Sequence, residues 1–191
     1  MSMLDMLQQR LGGDAVNQIS RQLGTDPSTA QTAIAAALPM LVGALARNAQ
    51  DPAKAGALAN ALGRHDGRVL DDIAGYLGRG DAGDGDGILG HVLGARRENV
   101  QTGLGQAAGL DPAKAGQLLS LLAPLVMGAL GRAQREKGLD GGGLAGMLGG
   151  EQQRATDTAP GVMGMLSSLL DRDRDGSVID DIGGMLGRFG R

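Results

Sequence analysis

The residues best placed to do chemistry lie towards the C-terminal end of the chain, in the stretch DRDRDGSVIDDI, Asp171 to Ile182. Alternating aspartates followed by glycine at the sixth position open a calcium loop of the helix-loop-helix type. Asp171, Asp173 and Asp175 would supply carboxylate oxygens, Gly176 the turn, Ser177 a backbone carbonyl and Val178 a core contact. The twelfth position of such a loop holds a bidentate glutamate, and here it is Ile182. Val178, Ile182, Met185, Leu186 and Phe189 recur at helical spacing, so position twelve turns towards an apolar face. Arg172 and Arg174 also weaken the negative potential that would draw a cation. The stretch therefore predicts a capped helix start, with Ser177 and Asp180 as a capping box and the Asp180/Asp181 pair complementing the helix dipole. Asp171, Asp173 and Asp175 stand as a weak calcium candidate, binding no tighter than about 10⁻⁴–10⁻³ M.

Other chemistry is sparse. There is no cysteine, which excludes thiolate catalysis, disulfides and cysteine-ligated zinc. G-x-G-x-x-G occurs at Gly85, Gly87, Gly90 and again at Gly141, Gly143, Gly146. Neither run follows a strand, and Asp84 and Asp86 would repel a pyrophosphate. His65 and His91 have no second ligand at metal spacing. Most carboxylates sit at helix starts or in glycine turns, so no acid–base pair emerges and no enzymatic activity is expected. The net charge of −3 carries no basic excess for nucleic acid. A helix-turn-helix outline, with Ser28, Thr29, Gln31 and Thr32 or Ala113, Lys114 and Gln117 as base readers, is weighed against burial of the same helices. Burial is favoured, which leaves DNA binding as the alternative function.

The elements that must position these residues are repeated. Leu23–Gln50 aligns without gaps on Ala108–Arg135 at an offset of 85, with 9 of 28 positions identical, among them Gly24/Gly109, Asp26/Asp111, Pro39/Pro124, Gly43/Gly128 and Arg47/Arg132. Asp66–Arg79 aligns on Asp175–Arg188 at an offset of 109, with 10 of 14 identical. About 24 extra residues, GLDGGGLAGMLGGEQQRATDTAPG, separate the second pair of blocks and read as a Gly-rich elaboration. Asp26, Asp51 and Asp111 are expected N-caps, with Pro27, Pro52 and Pro112 at the first helical position. Gly24 and Gly109 suit helix C-termini. Pro39 and Pro124 should kink or divide the long helices. In the first copy of the aspartate-rich block, Asp66 or Gly67 should supply the cap.

The prediction is an all-α multihelical bundle of two related units, 1–95 and 96–191, packed together. Leu38, Leu41, Val42 and Leu45 should be buried with Leu125, Val126 and Leu130. With 35 glycines and two aromatics, Tyr76 and Phe189, the core must come from Leu, Ala, Val, Ile and Met. The most apolar runs, Ala33–Ala46 and Leu118–Leu130, are shorter than the roughly 20 residues of a membrane span. The N-terminal MSMLDMLQQRLGG lacks a basic leader, so the cytoplasm is the expected location.

The blocks MLDML, AALPMLVGALARNA, HDGRVLDDIAGYLG, GILGHVLG, LLAPLVMGALGR and DRDGSVIDDIGGMLG together resemble the YidB-related bacterial family of unknown function (domain of unknown function 937). The resemblance implies a small all-helical bacterial protein with no established activity or agreed ligand and no catalytic residues to carry over. A non-enzymatic structural or protein-interaction role is expected, with an unknown protein partner or self-association and no cofactor beyond the weak calcium candidate.

Overall fold

A computed structural model describes residues 2–65, 67–79 and 83–158. Among these there is no strand. The helices are α1 (Met3–Arg10), α2 (Asp14–Leu23), α3 (Pro27–Ala49), α4 (Pro52–Leu62), α5 (Ile73–Gly78), α6 (Gly85–Leu93), α7 (Arg97–Ala108), α8 (Pro112–Lys137) and α9 (Gly141–Thr158), with 3-10 turns at Arg68–Leu70 and Gly94–Arg96. The all-α bundle expected from the sequence is what forms.

Local chemistry sets the boundaries. The Asp26, Asp51 and Asp111 side chains accept backbone N–H groups of the first turns of α3, α4 and α8, and proline occupies the first helical position each time. Proline loses nothing there, because that N–H has no partner within the helix. Ser2 and Asp5 close a capping box on α1. Gly24 and Gly109 end α2 and α7 in left-handed conformation.

α3 and α8 form the centre. All seven apolar residues expected in the core are buried, and the buried side chains from α1 through α9 make one continuous cluster. α2 and α7 pack on α3 and α8 respectively, α7 also touches α3, and α9 lies along α3 and α4. The 23- and 26-residue lengths of α3 and α8 exceed the apolar runs within them, because polar turns extend both ends. By length and composition both could cross a membrane, yet 78% and 83% of their most apolar windows are buried inside the fold.

Two expectations need correcting. Pro39 and Pro124 do not divide their helices, which run through them. In α8 the two carbonyls that Pro124 disturbs meet outside groups: Leu121 O accepts the Tyr76 hydroxyl at 3.1 Å, and Ser120 O lies against the Gly85 backbone. In the first copy of the aspartate-rich block Gly67 precedes only a 3-10 turn, and Asp66 lies outside the described residues. The α-helix of this block begins only at Ile73, where Asp72 accepts the Gly75 N–H at 2.8 Å. The cause is Gly67 itself: at φ 77° it turns the chain into a 3-10 turn before the α-helix can start. The Gly-rich elaboration also contains a helix, α9, whose buried Leu144, Leu148, Glu151 and Ala155 form a stripe of helical period. Asp140 holds its start, accepting the Gly143 N–H at 2.8 Å.

Candidate functional site

Asp171, Asp173 and Asp175, the calcium candidate, lie outside the described residues. Their counterpart block, from His65 to Ile73, shows how such a segment is held. It sits on the C-terminal half of α8, where Gly128 and Gly131 remove the side chains that would keep it off. A Cβ on Gly131 would fall 2.0 Å from His65 O, and one on Gly128 would fall 2.7 Å from the Val69 side chain. Arg132 then clamps the segment: its Nη2 donates to Gly67 O at 3.1 Å and to Asp71 Oδ1 at 2.6 Å. From the other side Arg10 Nη1 donates to Leu70 O at 2.7 Å. In this block carbonyl oxygens and an aspartate meet two guanidinium groups. Among the described residues no cluster of three or more His, Cys, Asp or Glu could hold a metal ion.

A second feature is an open groove of about 630 Å³ between α1, the end of α8 and α9. Met3, Met6, Ala129, Leu139 and Met147 line its floor. Charges of both signs, Arg132, Lys137, Arg154, Glu136 and Glu151, surround them. Glu151 is the buried acid among the described residues and fixes one wall. Its carboxylate accepts the Met3 and Leu4 N–H groups at 3.2 and 3.3 Å and pairs with Arg154 at 3.0 Å. It thereby supplies the first turn of α1 with an anion at the positive end of the helix dipole. The sequence reading missed this residue, although an acid at the Leu144–Leu148 spacing was a usable signal.

A third feature is the polar contact between α6 and α8. Asp86 accepts the Ser120 hydroxyl at 2.7 Å and pairs with Arg97. The Ser120 hydrogen bond first, and Arg97 second, hold its carboxyl below the usual range. Gly85, Gly87 and Gly90 of one G-x-G-x-x-G run lie within α6, and Gly141, Gly143 and Gly146 of the other lie within α9. Neither run forms the loop that a phosphate needs. Gly85 is explained by the Ser120 carbonyl, which would stand 1.9 Å from its Cβ. His91 makes a 2.8 Å hydrogen bond from Nδ1 with Gly87 O on the surface, and His65 belongs to the clamped segment.

Of the helix-turn-helix residues, Ser28, Thr29, Thr32 and Lys114 are occupied locally, whereas Gln31 and Gln117 are exposed. Ser28 and Thr29 hydroxyls donate to Asp26 at 2.5 and 2.6 Å, and the Thr32 hydroxyl donates to Ser28 O. Those donors, Ser28 foremost, hold the Asp26 carboxyl far below its ordinary range, so the N-terminus of α3 already carries an anion. Lys114 Nζ donates to Gly24 O at 2.9 Å and ties α8 to the end of α2. From Ala30 and Ala115 onward both helices enter the core.

Residues 5–133 match the profile of a family described as bacterial protein of unknown function (DUF937). The chain belongs to that family. The match runs from α1 into α8, and so takes in both long helices and the clamped segment between them. No curated protein and no solved structure matches the chain.

Proposed function

We propose that this DUF937 member is a non-enzymatic, cytoplasmic interaction module that binds an apolar helical segment of another protein in the groove between α1, α8 and α9. The observation that carries the reading is the methionine floor of that groove, formed by Met3, Met6 and Met147. Methionine is unbranched and polarizable, so a surface built from it adapts to apolar partners, and a helix laid in a groove is a recurrent way of using such a surface. Rim charges of mixed sign suit a polypeptide better than a polyanion. The reading uses no cofactor. The closer kinship with YidB-related members, carried by the same sequence blocks, accords with it.

Site-specific photocrosslinking in the bacterial host tests the proposal. A photoreactive residue at Met147 should yield discrete protein adducts, while one at exposed Gln31, on the α3 start, should yield none. Absence of adducts at Met147, or tight salt-sensitive binding of the purified protein to duplex DNA, would overturn it.

A further inference from the structure

The sequence has no cysteine and nine methionines, so its sulfur chemistry rests on thioethers. Five of them, Met3, Met6, Met40, Met127 and Met147, lie among the described residues. They fall into two classes. Met40 and Met127 are 0% and 3% exposed within α3 and α8, whereas Met3, Met6 and Met147 are half-buried and all line the groove between α1, α8 and α9. Helix geometry gathers these three. Met3 and Met6 stand three residues apart on one face of α1, and Met147 stands one turn before Glu151 on the same face of α9. Glu151 in turn accepts the Met3 N–H at 3.2 Å, so Met147 and Met3 border the same junction.

We infer that Met3, Met6 and Met147 form a site of reversible oxidation by peroxides, and that their sulfoxides release α1 from the fold. The thioether sulfur attacks one oxygen of hydrogen peroxide. An S–O bond forms as the O–O bond breaks, two electrons pass from sulfur to the peroxide, and the second oxygen leaves with both protons as water. Partial exposure gives the oxidant access to these three sulfurs, and burial denies it at Met40 and Met127. The product is a polar, chiral group where a flexible apolar one had packed.

α1 is poorly able to absorb that change. It has eight residues, too few to hold a helix in water without packing, and Met3, Leu4, Met6 and Leu7 are its whole apolar complement. Oxidation converts two of these four into groups whose burial without a hydrogen-bond donor is costly, and at Met147 it does the same to the facing surface. Glu151 binds α1 only while the Met3 and Leu4 N–H groups stay in place, so that anchor goes with the packing. Methionine sulfoxide reductases reverse the chemistry, which makes it a switch rather than damage. The oxidation site and the release of α1 stand whether or not a partner occupies the groove.

Hydrogen peroxide titrated onto the full chain, followed by peptide mass spectrometry and amide hydrogen exchange, tests both halves. Met3, Met6 and Met147 should be oxidised at least about tenfold faster than Met40 and Met127. At that stage peptides covering α1 should exchange at least about tenfold faster than in the untreated chain, while those of α3 and α8 keep their protection. Reductase treatment should restore α1. A variant carrying Met3→Leu, Met6→Leu and Met147→Leu keeps the apolar volume and removes the sulfur, so peroxide should leave its α1 peptides unchanged. Oxidation of Met40 and Met127 as fast as the groove methionines, α1 protection that survives full oxidation of the three, protection that does not return once the sulfurs are reduced, or α1 exchange that peroxide accelerates equally in the leucine variant would each overturn the inference. The first three of these readings use the wild-type chain alone, so they decide the matter should the leucine variant not fold.

Discussion

Replacing Gly131 by alanine sets two backbone effects against each other. At an open helical position the exchange stabilises by about 1 kcal/mol, because alanine leaves the unfolded chain fewer conformations to lose. At Gly131 the new Cβ would stand 2.0 Å from His65 O and 3.0 Å from Leu62 O. Both are main-chain atoms at the end of α4, so no side chain can swing away. The segment must lift by roughly 1 Å, which strains the Arg132 bond to Gly67 O as well, and overpacking of this kind costs about 1–3 kcal/mol. With so deep an overlap the upper end applies, leaving a net loss of about 2 kcal/mol, or roughly 4–8 °C in Tm for a chain of this size. Gly149 in α9 is the control: it is exposed, with nothing within 4 Å of its Cβ position, so Gly149→Ala should raise stability by about 0.5–1 kcal/mol. Urea titrations followed by circular dichroism give both values, provided m is unchanged. A Gly131→Ala protein as stable as the wild type, alongside a stabilised Gly149→Ala, would refute the close approach of the loop to α8.

Three further outcomes are expected. Glu151→Ala should leave the Met3 and Leu4 N–H groups without their acceptor, destabilise the fold by about 1–3 kcal/mol and speed amide exchange in α1 before other helices. Because the folded-state carboxyl of Asp86 titrates below its usual range, its contribution is present above an unfolded value of about 3.9 and is lost as pH falls through the lower folded value. Thermal melts from pH 6 to pH 2.5 should therefore show a smaller acid loss in Asp86→Asn than in the wild type. Calcium titrated calorimetrically should bind no tighter than about 10⁻⁴ M, since Ile182 replaces the bidentate ligand. Micromolar binding abolished by Asp171→Ala would instead make that loop an ion site.

Helix starts were legible because their causes are local. An aspartate followed by proline specifies cap and first turn without help from the rest of the chain, and Asp26, Asp51 and Asp111 all behave so. The core was legible for a related reason: the two long apolar runs leave no other solution than mutual burial. The start of α5 was not legible, because it depends on Gly67 adopting positive φ and on Arg132, distant in sequence, claiming Asp71. α9 was concealed by its glycines, which disfavour a helix, although Asp140 and the spacing of Leu144, Leu148 and Ala155 marked one. The groove could not be read at all, since Met3, Ala129 and Met147 meet only after three helices have packed.

The two matched prolines show why repetition in sequence does not dictate identical surroundings. Each removes one helical hydrogen bond and leaves the carbonyl four residues earlier without its usual donor. In α3 that carbonyl belongs to Ala35, an exposed residue that water can serve. In α8 it belongs to Ser120, whose residue is buried, and an unserved buried carbonyl is costly. There α6 brings the Gly85 backbone against the oxygen, Asp86 takes the Ser120 hydroxyl, and Tyr76 donates to the neighbouring Leu121 O. The break in α8 is thus enclosed by the segment between α4 and α7, whereas the one in α3 faces solvent. Tyr76→Phe separates this account from simple apolar packing: it keeps the ring and removes the donor, so a loss of about 1 kcal/mol is expected, and an unchanged urea midpoint would show that Leu121 O needs no partner from Tyr76.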